Sequence, residues 1–148
     1  MIRVYIERYE NLDEAKRRIL NKFAIEQSFC GSYYINYNAM GKPLLFSDGE
    51  QCGEISVSHT DGVLAIAISD ESVGIDIERK DRKISDRICA DIRQWTRIEA
   101  YAKWTGAGVS KRLIAEDLPQ DLIITRKYGD YYVSVCSLCK NNVVTTLI

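Results

Sequence analysis

Two carboxylates on one predicted strand are the first residues whose spacing suggests chemistry. In the run Val73–Glu78, Gly74, Asp76 and Glu78 alternate with β-branched apolar residues, and alternate residues of a strand share a face. Like charges placed side by side repel unless water, a cation, lysine or arginine separates them, and Mg²⁺ prefers oxygen ligands of this kind. The pattern indicates a divalent-metal site, with a solvated strand face as the alternative.

A second pair of charged residues, Glu99 and Lys103, is spaced i and i+4 in the segment Trp95–Lys103. Residues four apart are neighbours on one face of a helix. By itself this spacing is typical of a surface ion pair, which stabilises a protein by about 0.3–0.5 kcal/mol. The pair therefore indicates a helix more firmly than it indicates a site.

The single histidine and the thiols give no strong catalytic motif. His59 follows Ser58 at the end of an alternating strand pattern, where a lone histidine is more often structural or exposed than catalytic, and nothing indicates a Ser-His-Asp triad. The five cysteines are scattered and odd in number, so we expect reduced thiols. The motif Cys136-Ser-Leu-Cys139 falls in a predicted strand, where positions three apart face opposite sides.

The elements that position these residues follow from hydrophobic spacing. Met1–Glu7 alternates like a strand, and Leu12–Ala24 repeats apolar residues at helical spacing behind an Asn11 cap. A second helix is predicted to include Glu99 and to end near Gly106-Ala107-Gly108. The remaining strand patterns are Tyr33–Tyr37, Ile55–His59, Val63–Ser69, Val73–Glu78, Leu122–Arg126, Tyr131–Leu138 and Val143–Ile148, with turns at residues 39–43, 61–62 and 128–130.

The order of these elements predicts an α+β fold with mostly antiparallel sheets, because helices and hairpin strands occur without regular βαβ alternation. A helix followed by short strands precedes about Glu71, and a strand, a helix and further strands follow it. This rough symmetry predicts two similar small halves, residues 1–71 and 72–148, related by a pseudo-twofold axis.

Composition excludes several classes of function. The chain has 148 residues, 46% of them hydrophobic, which suits one compact domain or two small subdomains sharing a core. With 20 Lys and Arg against 21 Asp and Glu, there is no general electrostatic reason to bind nucleic acid or membrane. No apolar run approaches the roughly 20 residues that span a bilayer. The first ten residues lack the pattern of a secretory signal, so we expect a cytoplasmic protein.

Four segments in order carry a family resemblance: GKP at 41–43, SVSHT at 56–60, VGIDIE at 73–78 and WTRIEAYAKWTGAG at 95–108. Together they resemble the 4′-phosphopantetheinyl transferase superfamily, over about residues 41–108. The combination of GIDIE with a downstream W-x-x-x-E-A-x-x-K carries most weight, because each motif alone arises often by chance. The resemblance implies the longer, two-half type of that fold in shortened form, with coenzyme A between the halves, and a monomer.

The resemblance also implies an activity. Members of the superfamily transfer the 4′-phosphopantetheine arm of coenzyme A to a serine hydroxyl of an acyl or peptidyl carrier protein, and release adenosine 3′,5′-bisphosphate. Asp76, Glu78 and Glu99 match the acids that bind Mg²⁺. Glu99 is the implied acceptor of the serine proton, directly or through water, and Lys103 matches a lysine that contacts phosphate. Because the carrier supplies the nucleophile, the enzyme needs no activated serine.

Coenzyme A contacts are implied mainly for the N-terminal half, and the metal and catalytic acids for the C-terminal half. Ser58 and His59 match a pair that lies by the nucleotide phosphates in relatives, and His59 joins Glu99 and Lys103 as an implied catalytic residue. On the early helix, Arg17 is implied, in preference to Arg18, to reach the 3′-phosphate of coenzyme A. The implied coenzyme A residues are Arg17, Lys42, Pro43, Ser58, His59, Asp76 and Lys103.

Two departures from the family pattern keep a second function open. Ile98 replaces the lysine that most relatives carry before the motif glutamate, and the loss of one charged hydrogen bond costs about 1.5–3 kcal/mol of binding. The segment between Glu78 and Trp95 is also shorter than the corresponding segment in most members of the superfamily. The alternative is a catalytically lapsed homologue that binds coenzyme A or a carrier protein as a regulatory or structural module. A third alternative is an unrelated α+β domain whose acids are surface residues.

Overall fold

The computed structural model describes residues 1–84, 91–106 and 118–148. Its elements in chain order are β1 (Ile2–Arg8), α1 (Leu12–Glu26), β2 (Tyr34–Tyr37), β3 (Pro43–Ser47), β4 (Glu50–Thr60), β5 (Val63–Ser69), β6 (Gly74–Arg79), α2 (Ile92–Thr105), β7 (Ile123–Tyr128), β8 (Tyr131–Cys136) and β9 (Val143–Leu147). A short 3-10 turn, Gln120–Leu122, precedes β7. Within these ranges, neither helix has the length and apolar character needed to cross a membrane.

The strands form two sheets that pack face to face. The larger sheet has the order β2-β3-β4-β5-β1-β9 and the smaller one β6-β8-β7. The pairing of β1 with β9 is parallel, whereas the other strand pairs are antiparallel. The predicted α+β class with mostly antiparallel sheets is therefore confirmed.

Within the described ranges each sheet carries one helix on its outer face, so these residues form four layers. Helix α1 packs on one face of the larger sheet, and the smaller sheet packs on the other. Helix α2 covers the outer face of the smaller sheet. Strand β5 is buried over its whole length because its alternate side chains enter the cores on the two sides of the larger sheet.

The ends of the two helices follow the signals in the sequence. The Asn11 side chain accepts a hydrogen bond from the amide of Glu14, which confirms the predicted cap of α1. Helix α2 ends at Thr105, and Gly106 adopts the left-handed conformation that glycine tolerates best. The other two residues of the predicted terminus, Ala107 and Gly108, lie outside the described residues.

Several strand boundaries differ from the prediction. The sequence pattern misses β3 and begins β4 five residues late, at Ile55. Asp48 and Gly49 have positive φ angles and form the turn between these strands, so the Asp-Gly pair is the same hairpin signal that correctly predicts the turn from β4 to β5. Strand β9 ends at Leu147, one residue short of its predicted limit.

The predicted strand Tyr131–Leu138 is two residues too long. Strand β8 ends at Cys136, so Cys139 lies beyond the strand and its Sγ donates a hydrogen bond of 3.2 Å to Glu71 Oε2. Burial raises the pKa of the Cys136 thiol to about 12. The four described cysteines are free, and Cys89 lies outside the described residues.

The division into residues 1–71 and 72–148 and the pseudo-twofold axis stay predictions. Strand β9 comes from the end of the chain and pairs with β1 from its beginning. The last strand therefore completes the larger sheet instead of the smaller one.

Candidate functional site

Helix α2 packs directly on strand β6 because Gly74 has no side chain. A Cβ added to Gly74 would meet the carbonyl oxygen of Ala100 and lie 2.5 Å from the amide nitrogen of Trp104. Any side chain at this position would push the two backbones apart. The glycine therefore sets the distance between α2 and the polar face of β6.

Lys103 links α2 to two strands. Its Nζ donates hydrogen bonds to Asp76 Oδ1 at 3.4 Å and to the carbonyl oxygen of Val57 at 3.2 Å. Val57 lies beyond the last residue pair between β3 and β4, Leu44 with Glu54, so this part of β4 has no β3 neighbour. The ammonium group thus lies at an open strand edge, against a buried carboxylate.

Asp76 is a buried acid, with 4% of its surface exposed. Burial raises its pKa to about 7; Lys103 opposes this shift, and the charges of Glu78 and Glu99 add to it. Oδ1 accepts hydrogen bonds from Ser58 Oγ and Lys103 Nζ. Oδ2 is buried and has no hydrogen-bond partner within the described residues, so one oxygen of this carboxylate is left for a ligand.

Glu78 and Glu99 share the electrostatic environment of Asp76. Burial raises the pKa of Glu99, Lys103 and Arg82 lower it, and the charge of Glu78 raises it. Glu78 is 6% exposed, and its Oε2 is also buried without a hydrogen-bond partner in the described part of the chain. The structure therefore brings the three predicted acids into one electrostatic cluster.

Two carboxylates of this cluster form ion pairs with side-chain cations. Lys103 pairs with Asp76, and Arg82 pairs with Glu78 Oε1. With the side chains in these positions, no group of three or more His, Cys, Asp or Glu side chains among the described residues is arranged to hold a metal ion. A metal would have to use the oxygens that the two cations leave open.

The sequence analysis missed Arg82 as a residue of this cluster. It follows Glu78 by four residues, but that spacing brings side chains together only in a helix, and both residues precede α2. Arg82 instead reaches Glu78 from the turn after β6. No local signal in the sequence predicts this contact.

Two serines of β4 hold β6 in place. Ser56 Oγ accepts a hydrogen bond of 3.0 Å from the Ile75 amide, and Ser58 Oγ accepts one of 3.2 Å from the Ile77 amide. Because β6 is an edge strand, these amides would otherwise lack partners in the interior. Ser58 also donates to Asp76, so this residue, predicted to bind nucleotide phosphates, positions the acid in the structure.

A cleft of about 430 Å³ lies beside the acids. It joins the GKP turn to α2, since Lys42 and Pro43 line it together with Glu99 and Lys103. Lys42 Nζ lies 3.7 Å from Glu54 Oε2. Among the described residues, the lining consists of Met40, Gly41, Lys42, Pro43, Ile55, Ser56, Val57, Glu99, Ala102, Lys103 and Gly106. Among these described residues, two cations and one acid thus face a pocket whose other side chains are mostly apolar.

His59 and Arg17, two of the predicted coenzyme A residues, are not among the described residues that line this cleft. His59 is exposed on β4, on the face opposite to Ser58, and its Nδ1 lies 3.2 Å from the hydroxyl oxygen of Tyr9. Arg17 is exposed on α1, whereas its neighbour Arg18 pairs with Glu7 at 2.7 Å. The structure therefore groups the predicted acids with Lys103 and Lys42, and leaves His59 and Arg17 outside the group.

The environment of Ile98 explains its apolar character. Ile98 is fully buried in the core between α2 and the smaller sheet. A lysine with its side chain in this core would lose the hydration of its ammonium group without gaining an anion. Position 98 therefore supplies packing to α2 and no charge to the cleft.

No protein-family model matches this chain, and a comparison with curated proteins finds none that is significantly similar. The function is therefore inferred from the residues of the site.

Proposed function

We propose that this protein transfers the 4′-phosphopantetheine arm of coenzyme A to a serine hydroxyl of an acyl or peptidyl carrier protein, and that the reaction depends on Mg²⁺. The observation that carries the proposal is the packing of α2 on β6 at Gly74. This packing puts Glu99 and Lys103 next to Asp76, beside a cleft lined by Lys42. Four residues of the resembling motifs therefore converge on one site.

The acids fit a hard divalent cation. Asp76 Oδ2 and Glu78 Oε2 are buried oxygens without hydrogen-bond partners among the described residues, and an unpartnered buried carboxylate oxygen is costly unless a cation compensates it. Asp76, Glu78 and Glu99 would hold the ion, since Mg²⁺ prefers carboxylate ligands. When bound, it supplies positive charge that offsets the charge developing on the pyrophosphate.

The side chains of the cleft have distinct roles in the proposed reaction. The serine oxygen of the carrier forms a bond to the phosphorus that bears the pantetheine arm, and the bond from that phosphorus to the leaving adenosine 3′,5′-bisphosphate breaks. Glu99 accepts the serine proton; burial raises its pKa, and a higher pKa makes a carboxylate a stronger base. Lys103 and Lys42 offer ammonium groups to the phosphates. Charge stabilisation and positioning thus carry most of the catalysis.

A module without transferase activity is the second candidate. Lys103 and Arg82 already neutralise Asp76 and Glu78, and the buried Ile98 offers no phosphate contact. These contacts favour a protein that binds coenzyme A or a carrier without a metal. The two candidates differ in their dependence on Mg²⁺.

Mass spectrometry of a panel of apo carrier proteins tests the proposal. After incubation with coenzyme A and Mg²⁺, we expect a carrier to gain the mass of the phosphopantetheine arm. Glu99→Gln should lose the transfer, while Glu50→Gln, which removes an exposed acid at the start of β4, should retain it. If the protein binds coenzyme A but transfers the arm to no carrier, the proposed transferase activity is contradicted.

Calorimetry separates the enzyme from the module. For the enzyme, coenzyme A should bind more tightly when Mg²⁺ is present, and Glu78→Ala should remove that gain. For the module, the affinity for coenzyme A should be the same with and without Mg²⁺.

A further inference from the structure

Arg82 is a cation of the acid cluster that no matched motif contains. Its guanidinium donates to Glu78 Oε1, and it lies within electrostatic range of Asp76 and Glu99. About half of its side-chain surface is exposed, 49%, against 8% for Glu78. Arg82 therefore combines a buried partner with freedom to turn towards solvent.

The contact between Arg82 and Glu78 uses only some of the N–H donors of the guanidinium and only one oxygen of the carboxylate. Guanidinium has five N–H donors and binds carboxylates and phosphates through two of them at once. Glu78 Oε2 has no hydrogen-bond partner in the described part of the chain. A divalent cation at the acids would attract both oxygens of Glu78 and repel the guanidinium.

Among the described residues, the cleft has few cations for a ligand with several phosphates. Lys42 and Lys103 line it, while Ile98 is buried in the core on the other side of α2. An arginine released from Glu78 would stay tethered to the turn after β6, next to the acids. The released guanidinium would then lie near the same phosphate groups as the metal.

We propose that Arg82 is a further substrate-binding residue, which exchanges Glu78 for a phosphate oxygen of coenzyme A when a divalent cation binds the acids. This role rests on the proposed function. In the free protein Arg82 neutralises Glu78 and competes with the metal. In the loaded protein it adds the phosphate contact that Ile98 does not make.

Two titrations of the purified protein test the exchange. Calorimetry with Mg²⁺ alone should give a dissociation constant about five- to tenfold lower for Arg82→Gln than for the unmodified protein, because a competing cation is gone. Calorimetry with coenzyme A at saturating Mg²⁺ should give a dissociation constant about five- to tenfold higher for the same variant. Opposite shifts are the signature of a residue that changes partner.

Lys83→Gln is the matched control, because it removes the same charge from the next, exposed residue and should change neither constant by more than about twofold. Arg82→Lys should give dissociation constants between those of Arg82→Gln and the unmodified protein, since it keeps the charge and loses the paired donors. Equal effects of Arg82→Gln and Lys83→Gln would overturn the role of Arg82, and so would a shift of both constants in one direction. Absence of Mg²⁺ or coenzyme A binding by the unmodified protein would overturn the proposed function as well.

Discussion

Gly74 on β6 and Ala100 on α2 are in backbone contact: the space for a Gly74 side chain is occupied by the Ala100 carbonyl oxygen. The contact lies two residues before Asp76 and one residue after Glu99. Because strand and helix are rigid elements, it fixes the distance between the acids that they carry.

Replacement of Gly74 by alanine should separate these elements. We expect Gly74→Ala to lower the free energy of unfolding by about 3 kcal/mol or more, because the methyl group meets backbone atoms that cannot turn away. Gly49→Ala is the control, since its φ is +80° but nothing lies within 4 Å of the added carbon; it should cost about 1 kcal/mol. Denaturant unfolding measures both values, and equal losses would contradict the close approach.

Asp76→Asn should stabilise the protein and remove metal binding. The pKa of Asp76 is raised from its ordinary 3.8 to about 7, chiefly by burial, so the folded protein holds this proton more tightly than the unfolded chain. Its contribution to stability is present in acid, declines as the pH rises from about 4 to 7, and stays lost above that. The variant should therefore exceed the unmodified protein by about 1–3 kcal/mol at pH 8 and match it near pH 4.

Thermal unfolding at the two pH values, with and without Mg²⁺, checks this expectation. Mg²⁺ should raise the Tm of the unmodified protein at pH 8, because a ligand that binds only the folded state stabilises it. It should leave the Tm of Asp76→Asn unchanged. A variant less stable than the unmodified protein at pH 8 would show that Asp76 contributes structure instead of an electrostatic cost.

Ser58→Ala and Ser56→Ala form a matched pair. Each removes a hydroxyl that accepts from an amide of β6, so each should lower the free energy of unfolding by about 1–3 kcal/mol. Only Ser58 also donates to Asp76. We therefore expect Ser58→Ala alone to change the affinity for Mg²⁺, measured by calorimetry. Equal changes in both variants would mean that Ser58 acts only by holding β6.

Lys42→Gln and Arg17→Gln compare two of the residues predicted to bind coenzyme A. Lys42 lines the cleft, whereas Arg17 is exposed on α1. At saturating Mg²⁺ we expect Lys42→Gln to weaken coenzyme A binding about tenfold, through the loss of one charge-assisted contact. Arg17→Gln should leave the affinity within about twofold. The reverse order would place the nucleotide on α1 and away from the cleft.

Local patterns predicted the elements best where both partners of an interaction lie close in the chain. The Asn11 cap and the Gly106 terminus depend on one turn of helix, and both are confirmed. Strand β3 was missed because its five residues contain only one buried side chain, Leu45, and so lack a clear alternation. The end of β8 at Cys136 depends on which strands are available to pair with it, and that is a property of the sheet.

The site was predicted in part for the same reason. The alternation of Asp76 and Glu78, and the helical spacing of Glu99 and Lys103, are short-range features of the sequence. The salt bridge from Arg82 to Glu78 forms outside a helix, where a spacing of four residues carries no information. The hydrogen bonds from β6 to Ser56 and Ser58 join residues 19 positions apart, which no local pattern encodes.

The amino-acid sequence by itself determined the α+β class, the polar face of β6 and the helix that carries Glu99, because periodicity and caps act over a few residues. The tertiary structure decided that Lys103 reaches Asp76, that Arg82 forms an ion pair with Glu78 and that His59 faces away from the acids. These relationships depend on how closely two backbones approach and on which face of a strand each neighbour covers. Gly74 belongs to a local motif that the sequence shows. Its effect, the close approach of α2 to β6, is seen only in the tertiary structure.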